Sequence, residues 1–539
     1  PALGEFRADF GGMLGTIEER PSAGPDGEPG FAGALDVVDT DQLLKRFERD
    51  PGQRVDTRAY LTARLLDLLV GDWDRHPDQW RWALMPREGS AHWLPIPRDR
   101  DQAMVRYDGL LLHVARQQYP KVVLFGPRYG NLYGMTESSI ELDRRLLAEL
   151  RRPAWDSTVT VIQQALTDPV IEDAVRRMPP EFYQRTGEDL SRTLKARRDR
   201  LPDAARWLYG SVNTEADVHA SDQGDLAVAE RQQGGRLAVS LYRRGSDGQP
   251  HGEPYFHRVF DRRETREVRL MLYGGQDRAL VRGDARQAPR VRVVGGGGSD
   301  ELVDSTRVAS GAVNTVFYDA RGENRLVTGP GTAVDTRPYT PPVYERSRIR
   351  DRHRDWGTRQ FITPWLEYSS EYGVVIGGGP TLYRYGFRQV PFASRISLRA
   401  AYATGAEAGA LEFNGQFYRA NSSTNLSVLA RVSGVELARF YGFGNDAPAT
   451  QPDVFYRVRQ RQALIEPILN LAPARHLRLS VGPVIQHSDT YHEANTFIGE
   501  TRPYGSGSFG QVGLRSGVAF DTRNRAAAAT RGMRLEVGG

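Results

Sequence analysis

Beyond residue 360 the chain alternates between apolar and polar side chains. In HLRLSVGPVIQ, Leu477, Leu479 and Val481 fall on one side and Arg478 and Ser480 on the other. NLSVLARVSG sets Leu426, Val428, Ala430 and Val432 on one face, and ALEFNGQFYRA does the same with Leu411, Phe413 and Phe417. Successive side chains of a strand point to opposite faces, so a period of two can bury only one face. Such segments form an antiparallel sheet of about eight strands, each long enough to cross a bilayer. The apolar face meets either lipid, as in a membrane β-barrel, or the core of a soluble sandwich, and the pattern alone leaves both open. A helical span is excluded, because no apolar run approaches the roughly 20 residues it needs.

Charge and cysteine content narrow the chemistry. The chain has 72 basic and 67 acidic residues, a net charge of +5, and no run of like charge that would track a phosphate backbone, so nucleic acid is not expected as a partner. With no cysteine, disulfides, thiolate metal sites and cysteine nucleophiles are excluded. The only lysines are Lys45, Lys121 and Lys195, so the basic charge is almost wholly arginine. The chain opens on Pro1 rather than Met and stops at Gly539 within a strand-like run, which reads as a piece of a longer protein, so a missing signal peptide is uninformative.

The expected organisation is multidomain. Residues 1–210 read as a mainly helical α+β lobe, 211–335 as a small β domain, 336–358 as a linker, and 359–539 as the first half of a transmembrane β-barrel. In the lobe, VDTDQLLKRFERD predicts a short helix capped by Asp or Thr. DTRAYLTARLLDLLV predicts a longer one with Leu61, Leu65, Leu68 and Leu69 on one face. TESSIELDRRLLAEL spaces Leu142, Leu146 and Leu150 four apart after a Thr start. In TDPVIEDAVRRM, Asp168 is the expected N-cap and Pro169 the first helical residue. The linker is Pro-rich and then densely charged, and its Asp-Arg-His at Asp351–His353 reads as solvated.

Two C-terminal stretches, RFYGFGNDAP and GVAFDTRNRAAAATRGMRLEVGG, resemble turn motifs of the BamA/TamA family of outer-membrane surface antigens. Alanines replace the proline usual before Thr530. The resemblance covers about residues 360–539 and implies a transmembrane barrel, outer-membrane lipid as partner, and preceding domains in the periplasm. Family barrels are larger than the strands counted here, which implies half of one.

The β domain repeats itself. EVRLMLYGGQDRALV and RVRVVGGGGSDELVD match with Val268 on Val291, Arg269 on Arg292, Gly275 on Gly298 and Asp277 on Asp300. The Gly-rich turns resemble RTX-type calcium-binding repeats, which would make Asp277 and Asp300 Ca²⁺ ligands. Read from the residues alone, they are simple β-turns with glycine at positive φ.

One stretch concentrates charge beside large aromatics: GDWDRHPDQWRW, from Gly71 to Trp82. A helix precedes it, and a strand-like HWLPIP follows and delivers Asp99 and Asp101. That order, a loop aspartate and then a strand-end aspartate, is the order of phosphoryl-transfer sites. The stretch resembles the catalytic loops of atypical kinases of the Fam, CotH and HipA types. The resemblance implies Asp74 as the catalytic aspartate in an Asp74-Arg75-His76 loop. It implies Gln79, with Asp78 beside it, as a metal-holding residue, and Asp99 then Asp101 as ligands of Mg²⁺ or Mn²⁺. Trp73, Trp80, Trp82 and Trp93 would wall the site. Calcineurin-like phosphatases use Gly-Asp-x-x-Asp-Arg-Gly, which the spacing and His76 do not match. No lysine occupies a nucleotide-lobe position before Asp74, so this stretch by itself is not expected to turn over.

Two functions follow as expectations. One is a BamA/TamA-class outer-membrane protein in assembly, translocation or anchoring, its leading domains acting on an exported protein client. The other is a barrel-anchored phosphotransferase or phosphohydrolase using Asp74 and Asp99.

Overall fold

Leucine spacing and a capping pair set the first helices. In a computed structural model of the chain, α1 (Thr40–Arg49) starts on Asp39, whose carboxylate accepts from Gln42 N–H while the Gln42 side chain reaches back. Helix α2 (Thr57–Val70) starts on Asp56 and buries Leu61, Leu65, Leu68 and Leu69. The structure describes residues 21–22, 24, 28, 30–87, 90–284, 287–307, 314–339, 354–369, 372–444, 447, 449–525 and 528–539. The Asp351–His353 motif and most of the expected linker lie outside them.

The described residues fall into two compact units. One runs to Asp108 and continues over Pro120–Asp335; the other joins Gly109–Tyr119 to the chain from Thr336 onward.

The first unit opens with a four-stranded sheet, β1 (Asp36–Asp39), β2 (Arg54–Val55), β3 (Trp80–Arg87) and β4 (Ser90–Pro97), in the order β1-β3-β4-β2. Helices follow, chief among them α3 (Ile140–Leu147), α4 (Arg152–Ala165), α5 (Asp168–Arg176), α6 (Glu188–Asp199) and α7 (Leu201–Asn213). Helix α5 is capped by Thr167, with Asp168 already helical, one residue earlier than expected. Helix α3 begins after Ser139 rather than at Thr136, which closes a separate short helical turn.

The chain then winds between two sheets. Strands β5 (Glu215–His219), β9 (Glu267–Met271), β11 (Arg290–Val294), β13 (Thr315–Tyr318) and β15 (Thr332–Asp335) stack in parallel as one sheet. Strands β6 (Asp225–Gln232), β10 (Arg278–Arg282), β12 (Glu301–Asp304) and β14 (Arg325–Val327) stack in parallel as the other. The hairpin β7 (Arg236–Arg244) and β8 (Pro250–Asp261) extends the second sheet antiparallel. Each circuit adds one strand to each sheet, so the region is a parallel β-coil. Val268 faces Val291 and Arg269 faces Arg292 in register, so the sequence repeat is one turn of the coil. Val268, Leu270, Val291, Val293, Ala279, Val281, Leu302 and Phe317 fill the space between the sheets.

The second unit is a nine-stranded antiparallel meander: β16 (Thr358–Ser369), β17 (Gly373–Gly386), β18 (Gln389–Ala403), β19 (Ala408–Tyr418), β20 (Asn425–Arg439), β21 (Arg457–Ala474), β22 (Leu477–Thr490), β23 (Ser508–Asp521) and β24 (Arg534–Gly538).

The expected fold class is corrected here. The chain is mixed α/β, with 24% helix and 43% strand, not a mainly helical lobe ahead of a barrel. The helical periodicity of residues 136–210 overshadowed the tryptophan-rich hairpin before it and the coil after it. Among the described residues none of the four sheets closes on itself: β16 pairs there only with β17, and β24 only with β23.

Candidate functional site

Helix α2 ends where Gly71 takes a left-handed conformation (φ +76°), and a Cβ there would stand 2.7 Å from the Phe125 ring. Glycine is therefore required, and the chain turns sharply into Asp72-Trp73-Asp74-Arg75. Below the turn lies a buried ionic network. Asp67, on the inner face of α2, accepts from Arg64 at 2.9 Å, Arg75 at 3.2 Å and Arg100 at 3.0 Å. Arg64 also binds Asp143 of α3 at 2.8 Å, and Asp143 accepts from the Tyr60 hydroxyl. The paired charges and their hydrogen bonds are what make so much buried charge tolerable.

Arg75 is fully buried and stitches the loop to the strand end. Its guanidinium donates to the carbonyls of Arg98 and Asp99 and lies over the Trp80 ring at 4.9 Å. Asp72 is buried beside it, and desolvation, with the nearby Asp67 charge, pushes its carboxyl up to about 6. Trp80, Trp82 and Trp93 have no exposed surface, and Trp80 stacks on Trp82 with centroids 6.0 Å apart. The Trp82 indole donates to Thr40, which donates to the Pro77 carbonyl, fixing the loop on α1. The aromatics form the rigid floor of the loop, while Trp73 meets Tyr107 edge-on.

The expected site residues divide on this floor. Asp74 is half-buried, and among the described residues its carboxylate has no hydrogen-bond or ion-pair partner. Gln79 donates to Asp99 at 3.1 Å, so the loop and the strand end do meet there. Asp99 holds a positive φ of 49°, a conformation costing on the order of 1 kcal/mol for a residue with a Cβ. Asp101 turns to Gln102 at 3.0 Å instead. His76 stands 4.0 Å from Asp78, at the limit of an ion pair. Arg75 is a clamp, with no free face for a ligand. Asp67, Asp72 and Asp143 were not anticipated. The signal for Asp67 and Asp143 is an acid inside an apolar helical run, as in RLLDLLV and IELDRRLL; Asp72, just past the helix end, carries none.

No group of three or more His, Cys, Asp or Glu among the described residues is arranged to hold a metal. A Mg²⁺-type ion at Asp99 and Gln79 would therefore rely on ligand phosphate oxygens, as that ion commonly does.

The Gly-rich repeat builds a second polar feature, along one corner of the coil. Asp225 N–H donates to the Asp277 carboxylate at 2.8 Å, Asp277 N–H to Asp300 at 2.9 Å, and Asp300 N–H to Asn324 at 2.8 Å. Each aspartate thus ties its own turn to the one before. Gly298 (φ +123°) packs so tightly that a Cβ would lie 1.7 Å from the Gly275 carbonyl oxygen. One carboxylate oxygen of Asp277 is buried without a hydrogen bond, while Asp225 faces the Tyr255 hydroxyl and the Asp300 and Asp319 carboxyls face each other. Burial pushes Asp277 up to about 9 and Asp319 up to about 6, and raises Asp225 and Asp300 as well. Asp277 and Asp300 therefore stand in a backbone-bonded column.

No known family matches this chain, and no curated protein matches it.

Proposed function

We propose that this chain is an outer-membrane protein of the surface-antigen class, with the nine-stranded sheet facing lipid. The observation that carries this reading is the division of that sheet into two faces. Leu398 pairs across the ladder with Phe413, Ala400 with Leu411, Leu469 with Val481, and Ile485 with Val512. Exposed apolar side chains run across all nine strands, from Leu366 (73% exposed) on β16 through Val512 (77%) on β23 to Val537 on β24. The other face holds the polar set: Thr381 with Ser397, Arg399 with Glu412, Asn425 with Asn470, Glu466 with Arg515. Trp365, Leu429 and Leu464 are interleaved among them. A soluble sandwich would cover the apolar face, whereas lipid solvates it.

The turn motifs that carry the resemblance are consistent with it. Asn524 accepts from the backbone of Thr530 and Arg531, and Gly532 takes φ +91° to open β24. In this reading the first unit lies in the periplasm and presents or anchors an exported client beside the sheet. Flotation of the full chain with phosphatidylethanolamine–phosphatidylglycerol vesicles tests it. Co-flotation that survives high salt supports lipid burial, and a monodisperse detergent-free chain that stays at the bottom refutes it.

A second reading, phosphoryl transfer at the Gly71–Asp101 site, is favoured by the Gln79–Asp99 contact and the open Asp74 carboxylate. Here Asp74 would orient the hydroxyl that attacks, and Asp99 with Gln79 would hold Mg²⁺ or Mn²⁺, which neutralises phosphate charge. Arg75 keeps loop and strand end in place. Against it, Lys195 is held by Asp168 and Glu172. Calorimetry with ATP and Mn²⁺ on the wild type and on Asp99→Ala decides the matter. Saturable heat lost in the variant favours phosphotransfer, and none in the folded wild type removes it.

A further inference from the structure

Within the first unit, the segment Pro51–Thr57, helix α3, strand β5 and strand β8 enclose a cavity of about 120 Å³. One side is apolar, with Phe47, Val218 and Phe256; the other carries Arg54, Arg145 and His219. Arg145 is the unusual group. Its guanidinium lies over the Tyr273 ring at 5.6 Å, its Nη1 is buried without a hydrogen bond, and no described carboxylate forms an ion pair with it. Its neighbour Arg144, by contrast, is matched to Asp217 at 2.9 Å and to the Ser211 carbonyl.

The acids near the cavity are already engaged. Asp217 lies between Arg144 and Arg269, Glu149 accepts from the Thr57 hydroxyl, and Asp225 accepts from Ser221. Arg145 is only partly buried, but its Nη1 is buried without an acceptor, so the guanidinium on this wall is a donor ready for an anion.

His219 repeats the pattern. Its Nδ1 is 2.7 Å from the Tyr273 hydroxyl, while its Nε2 is buried and has no partner. With Tyr273 donating to Nδ1, Nε2 carries the hydrogen and lacks only an acceptor. The ring is also stacked on Tyr273, the ring that Arg145 covers, so both donors sit on one aromatic support. Arg54, which donates to the Tyr255 carbonyl, adds positive charge to the same wall.

We propose that this cavity binds the phosphoryl group of a small phosphorylated ligand, held by Arg145 and His219, with the ligand body against Phe47, Val218 and Phe256. Phosphate fits better than carboxylate because the donors come from separate residues, and a two-oxygen group would leave some of them unmet. The site is separate from Asp74 and Asp99 and does not depend on the membrane reading.

The test is a titration of the full chain with inorganic phosphate, followed by thermal shift and calorimetry, with succinate as the carboxylate comparison. The expected result is saturable stabilisation by phosphate, with succinate at least tenfold weaker. Arg145→Gln should weaken phosphate binding at least tenfold, and Arg263→Gln, an exposed control, should leave it unchanged. If Arg145→Gln does not fold by circular dichroism, His219→Asn takes its place and should weaken binding in the same direction. Phosphate without a saturable effect on the folded wild type overturns the proposal, as does a cavity variant that binds like Arg263→Gln, or succinate binding as tightly as phosphate.

Discussion

Arg75 and Asp277 are both buried ionisable residues, but they are stabilised in opposite ways. Arg75 is charged and surrounded by acceptors, with Asp67, Asp72 and two carbonyls close by. Removing it leaves Asp67 and Asp72 facing each other across a hole. Arg75→Met should therefore cost about 3–5 kcal/mol in denaturant unfolding, the usual penalty for breaking a buried pair on one side. A loss below about 1 kcal/mol would mean that the network relaxes around the gap. Asp277 is stabilised as the neutral acid instead. Its folded-state carboxyl sits near 9, above the ordinary range, so its contribution is complete below about pH 4 and is lost as pH rises towards 9. Asn324 already occupies the equivalent place one turn on, accepting the same backbone bond without a charge. Asp277→Asn should match the wild type at pH 4 and be more stable at pH 8, on the order of 1–3 kcal/mol, with a smaller loss of stability between the two. Equal pH profiles for the two proteins would show that Asp277 is not held neutral.

At the scale of elements, much was legible and some was not. The leucine stripe of α2 formed as read, and α1 is capped by an aspartate, one of the two caps expected, with Gln42 reaching back in addition; these are contacts within a few residues. The 23-residue match between Val268 and Val291 also had a physical meaning, since parallel stacking places equivalent residues of successive turns side by side. What the repeat could not convey was the path between the copies. Each copy supplies strands to two sheets rather than one hairpin, and the choice depends on the apolar filling between the sheets. In the second unit, face and lipid exposure can be tested residue by residue. Val512 lies on the apolar face, and Gln511 beside it faces the other way, bonding Gln486. Val512→Lys should weaken vesicle association by up to about 2–4 kcal/mol, as for a lysine placed in the hydrocarbon region. Gln511→Lys should be tolerated, and equal effects would remove the assignment of faces.

At the scale of the molecule, the helices and the coil of the first unit share buried charges. Arg144 on α3 binds Asp217 on β5, and Arg258 on β8 reaches the Ala148 carbonyl and Asn213 of α7. Arg144→Met should thus raise amide exchange in both α7 and β9, because the Ser211 carbonyl of α7 loses its donor and Asp217, which also holds Arg269 of β9, loses one of its two cations. Exchange raised only in α3 would mean that the helices and the coil are independent. The boundary expected near residue 210 is crossed by the bonds of Arg144 to Ser211 and Asp217 and of Arg258 to Ala148, which join groups more than 60 residues apart in the chain.

Local outcomes are legible in the order of residues: which segments become helices, which alternate as strands, where glycine must turn the chain, and that arginine carries the positive charge. These follow from spacing and backbone sterics over a few residues. The packing of distant segments is what makes Arg75 a buried clamp, turns Asp101 away while Gln79 meets Asp99, and sets the aspartates of the repeat in a column. It also decided that the apolar face of the long sheet stays uncovered among the described residues and that the sheet does not close. Each of these depends on which distant group arrives beside a side chain, and burial, counter-charge and partner strand are set by that arrival rather than by the residues next in sequence.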